Sequence, residues 1–232
     1  MKSPMALTAE LVALCERPEP DPGPEQGYSY FTEAEYDAAA AALLQQKPPG
    51  SLWIFAYGSL IWKPEFVSVE HRRATAYGWH RAFCLELTRW RGSPQQPGLM
   101  MGLESGGCCN GIVYRLPDAD HAGQLGRLLR REVGGREEMR TVRWIAVETE
   151  RGKLRAMTFW AGPTGLDYSV RLPLVRVAQI LARACGHIGS GADYLFQTVS
   201  KLDEFGIRDR NLWRLQQLVA DEILHLARSR RV

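Results

Sequence analysis

The sequence predicts an α+β domain, with strand patterning gathered between Ser51 and Trp160 and helical patterning on either side of it. Three observations carry this. Residues alternate inward and outward in Arg81–Leu87 and again in Gly111–Leu116. An amphipathic stripe at three- and four-residue spacing runs through 118–133. Three more helical segments then close the chain. At 232 residues and 45% apolar composition, the chain is long enough to bury a sizeable core. Residues 1–50 read as an N-terminal extension, and 51–232 as the domain proper.

In the extension, Leu7–Cys15 suits a short helix, and Glu16–Gly27 is a proline-rich linker that cannot bury a core. Thr32 and Glu35 form a capping box that opens a helix running to Gln46, and Pro48-Pro49-Gly50 stops it. Leu52–Ala56 is a short apolar strand. Strands are expected at Arg81–Leu87, Gly98–Leu103 and Gly111–Leu116, and at Trp144–Val147 and Leu154–Trp160 joined near Arg151-Gly152. A helix over 118–133 separates the two sets. Of the closing helices, Pro173–Ala184 ends at Gly186, Ser190 caps the second, and Asp209 caps the third. Leu212, Leu215, Leu218, Val219, Ile223 and Leu226 form the stripe of that last helix.

Composition excludes several classes. A net charge of +3 with no clustered basic face argues against a nucleic-acid partner. Five cysteines at irregular spacing argue against a disulfide framework and for a reducing compartment. Adjacent Cys108 and Cys109 should point to opposite faces of a strand. The chain has no Cys-x-x-Cys or His-x-x-His pair, which argues against a zinc site, and no glycine-rich nucleotide string, which argues against nucleotide-dependent chemistry. The N-terminus lacks an apolar secretory stretch, and the longest apolar runs are too short for a bilayer. A cytoplasmic monomer without a membrane partner is the expectation.

Two features carry chemistry. The first is Tyr57-Gly58-Ser59-Leu60, which directly follows the apolar strand. Glycine lets the chain turn sharply there, and successive amides after a strand form a nest suited to a carboxylate or a developing oxyanion. Tyr57 would wall such a pocket or donate to it. The Ser59 hydroxyl reads as part of a turn, because no histidine lies in a motif that would activate it. The second feature is Glu132, seven residues after Leu125, four after Leu128 and three after Leu129. Helical geometry puts its carboxyl at the inner end of the apolar stripe, where it either finds a partner or titrates high. Arg130 and Arg131 should leave the helix in other directions, and Gly134-Gly135 should end it. A carboxyl held near neutrality suits general acid–base work. Glu137 and Glu138 are fallback candidates in unpatterned, solvated surroundings.

The string Phe55–Pro64, with its Ile-Trp-x-Pro continuation, resembles the entry motif of the ChaC branch of the gamma-glutamylcyclotransferases. Leu128-Leu129-Arg130-Arg131-Glu132 is similar to the segment that carries the catalytic glutamate in that family. The resemblance covers about 51–226 and implies a small, mixed, barrel-like sheet with peripheral helices. It also implies cleavage of glutathione to 5-oxoproline and cysteinylglycine, without cofactor or metal. Glu132 is then the acid–base residue, and Tyr57, Gly58, Ser59 and Leu60 hold the substrate. Tyr168 matches a family loop tyrosine on the substrate side. Rival readings are a cyclotransferase for another gamma-glutamyl amine, a non-catalytic scaffold on the same fold, and a cysteine hydrolase using Cys84 with His80. Strand geometry around that last pair argues against it.

Overall fold

The computed structural model describes residues 4–24, 29–162 and 170–229. In chain order it contains α1 (Ala9–Ala13), α2 (Glu33–Gln45), β1 (Trp53–Ala56), β2 (Glu70–Leu87), β3 (Gly98–Arg115), α3 (His121–Glu132), β4 (Val142–Thr149), β5 (Gly152–Phe159), α4 (Leu174–Arg183), β6 (Cys185–Gly186), β7 (Gly189–Ser190), α5 (Gly191–Glu204) and α6 (Arg210–Ser229). The described chain divides into two compact units. One comprises 4–23, 83–102 and 170–229; the other comprises 24, 29–82 and 103–162.

The second unit is built on a closed barrel of order β1-β3-β2-β4-β5. β1 pairs antiparallel with β3, Ala56 opposite Ile112, and closes the barrel through a parallel pairing of Ile54 with Met157 of β5. β4 and β5 form the expected hairpin, with Thr149 opposite Gly152. Gly152 has φ 105°, which a two-residue connection of this kind favours. All four residues of β1 are buried, as its unbroken apolar run requires. The interior holds Trp53, Phe55, Ala76, Leu103, Val113 and Ala156, and the Thr158 hydroxyl donates to the Phe55 carbonyl at 3.0 Å.

β2 and β3 depart from expectation: each is one strand of 18 residues. The separate strands expected at Gly98–Leu103 and Gly111–Leu116 are therefore one, which ends at Arg115. Gly106 and Gly107, at φ 103° and 73°, bend the strand without ending it. Arg72, within β2, pairs with Glu70 at 2.7 Å and stacks on Trp53. Cys108 is exposed and Cys109 buried, as alternation requires, and all five cysteines are free thiols.

The first unit packs α1, α4, α5 and α6 together. Ser190 accepts from the Asp193 amide and Asp209 from the Leu212 amide, so both caps form where the sequence places them. In the other unit, the Thr32–Glu35 capping box is complete at the start of α2. Among the described residues no helix is long and apolar enough to cross a membrane, and no cluster of three His, Cys, Asp or Glu could hold a metal.

Candidate active site

β1 delivers Tyr57 and the turn after it to one end of the barrel. A single 3-10 turn, Ser59–Ile61, follows, with the Ile61 amide donating to the Gly58 carbonyl at 2.9 Å and the Lys63 amide to the Ser59 carbonyl at 2.8 Å. Ile61 is thus the first amide donor within the turn, and the amides of Gly58, Ser59 and Leu60 come before it, at the end where a helical turn directs its N–H groups. Gly58 and Leu60 are buried and Ser59 half-buried. Beneath them lies Arg81, only 3% exposed, whose Nη1 donates to the Tyr57 carbonyl at 2.6 Å. That bond fixes the peptide from which the turn starts, and it places a buried positive charge under a nest read as anion-binding.

The same end of the barrel carries an aromatic group. Tyr57, Trp79 and Trp160 all pack on the barrel core. The Trp79 and Trp160 rings meet edge to face at 5.8 Å, and the Arg143 guanidinium lies 4.5 Å over Trp160 and 5.7 Å over Trp79. Trp160 is held by its indole N–H on the Arg140 carbonyl at 3.0 Å. Sequence reasoning missed Trp79, Arg81, Arg143 and Trp160 as a group. The available signal was parity: Leu154, Ala156, Thr158 and Trp160 share one face of β5, so the last of them points inward at the barrel mouth.

Glu132 is the final residue of α3, whose Leu125, Leu128 and Leu129 are fully buried. Its side chain retains 21% exposure. Burial raises its pKa; Arg131 opposes that shift, and the Glu65 carboxylate adds to it. The expectation that Arg131 turns away is incorrect. Its Nε lies 2.9 Å from Glu132 Oε1, and its Nη1 donates to the Lys63 carbonyl and lies 3.9 Å from Glu65. The long arginine stem folds back along the helix end, so adjacent positions meet where short side chains would diverge. Arg131 thereby ties the glutamate to the segment just after the Ser59–Ile61 turn. The helix also stops one residue earlier than the glycine pair suggests, with Val133 already extended at φ −131° and ψ 112°.

The fallback carboxylates are otherwise engaged. Glu138 accepts from the Gly134 amide, and Glu137 is 83% exposed beside Arg140. His80 and Cys84 lie in β2, where their spacing separates them along a strand. Tyr168 lies outside the described residues.

Residues 52–222 match the sequence model of the ChaC-like proteins. The chain is 34% identical to the Escherichia coli glutathione-specific gamma-glutamylcyclotransferase over 81% of each protein. It is 29% identical to the human glutathione-specific gamma-glutamylcyclotransferase 1, over 64% of this chain and 68% of that one. Its fold is similar to the crystal structure of a yeast glutathione-specific gamma-glutamyl cyclotransferase, with a TM-score of 0.67 at 20% identity, covering 75% of this chain and 97% of the other.

Proposed function

The chain belongs to the ChaC-like family of gamma-glutamylcyclotransferases, and on that premise we propose that it cleaves glutathione to 5-oxoproline and cysteinylglycine. The substrate's own α-amine attacks its γ-carbonyl carbon; the new C–N bond closes a five-membered ring as the amide C–N bond breaks. No protein nucleophile is consumed. The enzyme contributes a folded glutamyl arm, with amine and carbonyl held in attack geometry, and this can lower the barrier by several kcal/mol. In this reading Glu132 takes a proton from the α-ammonium and returns one to the departing amide nitrogen, and ends in its starting state. The amides from Tyr57 to Leu60, backed by Arg81, receive the glutamyl carboxylate or the developing oxyanion.

The observation that carries this reading is Glu132 itself. It is a carboxyl whose pKa is raised by burial, within the family-matched region, tied through Arg131 to the chain that follows the strand-end turn. The five free thiols support a reducing, cytoplasmic setting, and we take the monomer as the acting species. Purified protein given glutathione alone should yield 5-oxoproline and cysteinylglycine by mass spectrometry. Glu132→Gln should reduce the rate by about a hundredfold or more. Equal rates from both proteins would remove Glu132 from the mechanism; no product from either would remove glutathione as the substrate.

A further inference from the structure

The segment of the N-terminal extension from Tyr30 to Asp37 grips the chain on both sides of Glu132. Before it, Arg130 lies 2.6 Å from Glu33 and 3.1 Å from Asp37, with its guanidinium 5.4 Å from the Tyr36 ring. After it, the Tyr36 hydroxyl donates to the Val133 carbonyl at 2.8 Å, and the Phe31 amide donates to the Gly134 carbonyl at 3.0 Å. Tyr30 pairs with Gly135 in an isolated β-bridge, and Arg136 is ion-paired to Glu35. Tyr36 is only 8% exposed, and Phe31 meets its ring edge to face at 5.2 Å. Positions 130, 133, 134, 135 and 136 are therefore all held from one side. The two left out, Arg131 and Glu132, pair with each other, and Arg131 reaches Lys63 and Glu65. These gripping residues lie outside the stretch matched by the family model.

We propose that residues 30–37 are a positioning clamp for Glu132, and that the extension is thereby part of the catalytic apparatus. This rests on the reading of Glu132 as the acid–base group. Val133 leaves the helix immediately after Glu132, so the direction of the carboxyl depends on where Val133 and Gly134 are pinned. Their carbonyls lie beyond the helical ladder, and the Tyr36 hydroxyl and the Phe31 amide supply the donors it lacks. Displacing a reacting group by about 1 Å can cost about a hundredfold in rate. Tyr36 is a positioning residue: it acts through the backbone of Val133 and touches no substrate.

The test uses the full chain with Tyr36→Phe, which keeps the buried ring and removes one hydroxyl, and the surface pair Glu33→Gln/Asp37→Asn, which releases Arg130. Glutathione turnover is followed across pH, well below the unfolding temperature of each variant, with Glu132→Gln alongside. The clamp predicts about a tenfold fall in kcat for Tyr36→Phe with KM within about twofold of wild type. It also predicts that the acidic limb of the kcat profile moves toward the ordinary carboxylate range as the loosened carboxyl gains water. The surface pair should show the same pattern more weakly. Lower thermal stability with kcat and pH profile unchanged would overturn the proposal and leave Tyr36 merely structural. If Glu132→Gln keeps wild-type activity, the acid–base reading fails and the clamp fails with it. If Glu132→Gln is inactive and Tyr36→Phe is not slowed, the clamp alone fails.

Discussion

An arginine 2.9 Å from a carboxylate ordinarily lowers its pKa, yet that of Glu132 is raised, because burial outweighs the single partner and Glu65 adds like charge. This has a consequence for stability. The folded pKa lies above the unfolded one, so the contribution of Glu132 to folding is present at low pH and is lost as pH rises through the folded value. Burial disfavours the ionised form of this carboxyl, a cost to the folded state that grows with pH and that Glu132→Gln lacks. The variant should therefore unfold at a higher temperature, by about 2–4 °C for each kcal/mol relieved. That advantage should shrink as thermal scans are repeated down to pH 4. A lower unfolding temperature at pH 7.5, or a gap independent of pH, would mean that Arg131 and not burial governs the group. The position of Glu132 was legible from its spacing to Leu125, Leu128 and Leu129. The Arg131 contact was not, since neighbouring helix positions face different ways and only a flexible stem brings them together. Glu137 was legible for the opposite reason, as a charge without an apolar pattern around it.

The strand-end turn is an element-scale device. β1 is four residues long, and its last two pack directly on β3: a Cβ added at Gly111 would lie 2.4 Å from the Ala56 carbonyl oxygen and 2.9 Å from the Phe55 ring. Backbone cannot yield as a flexible side chain does, so Gly111→Ala should destabilise the chain by about 1–3 kcal/mol, read as a lowered unfolding temperature. An unchanged unfolding temperature would show that β1 is not seated against β3 as described. The turn motif, the α2 capping box and the caps of α5 and α6 were all readable, because each depends on residues within a few positions of one another. The lengths of β2 and β3 were not. Glycines inside a strand read as breaks, while the barrel uses Gly106 and Gly107 as bends and carries the ladder past them. The Trp79–Trp160–Arg143 group was likewise hidden, since three separate strands must close before those side chains meet.

In the whole molecule, the proposed reaction draws on the turn at one barrel end and on one carboxyl of raised pKa, with a substrate that supplies its own nucleophile. Residues 1–50 read in the sequence as an appendage, because the contacts that tie Tyr36 to Val133 span 97 positions and leave no local trace. The place of α2 beside α3 emerges only from the folded chain. The reaction class is also a property of the whole, since the same carboxyl could activate water toward hydrolysis instead of promoting ring closure. Turnover of glutathione in water enriched in oxygen-18 separates these directly, with products read by mass spectrometry. Cyclisation predicts 5-oxoproline and cysteinylglycine, both free of the heavy isotope, because no water enters the new bond. Free glutamate carrying one oxygen-18 in its γ-carboxyl would mean that water is the nucleophile, and would contradict the account at its centre.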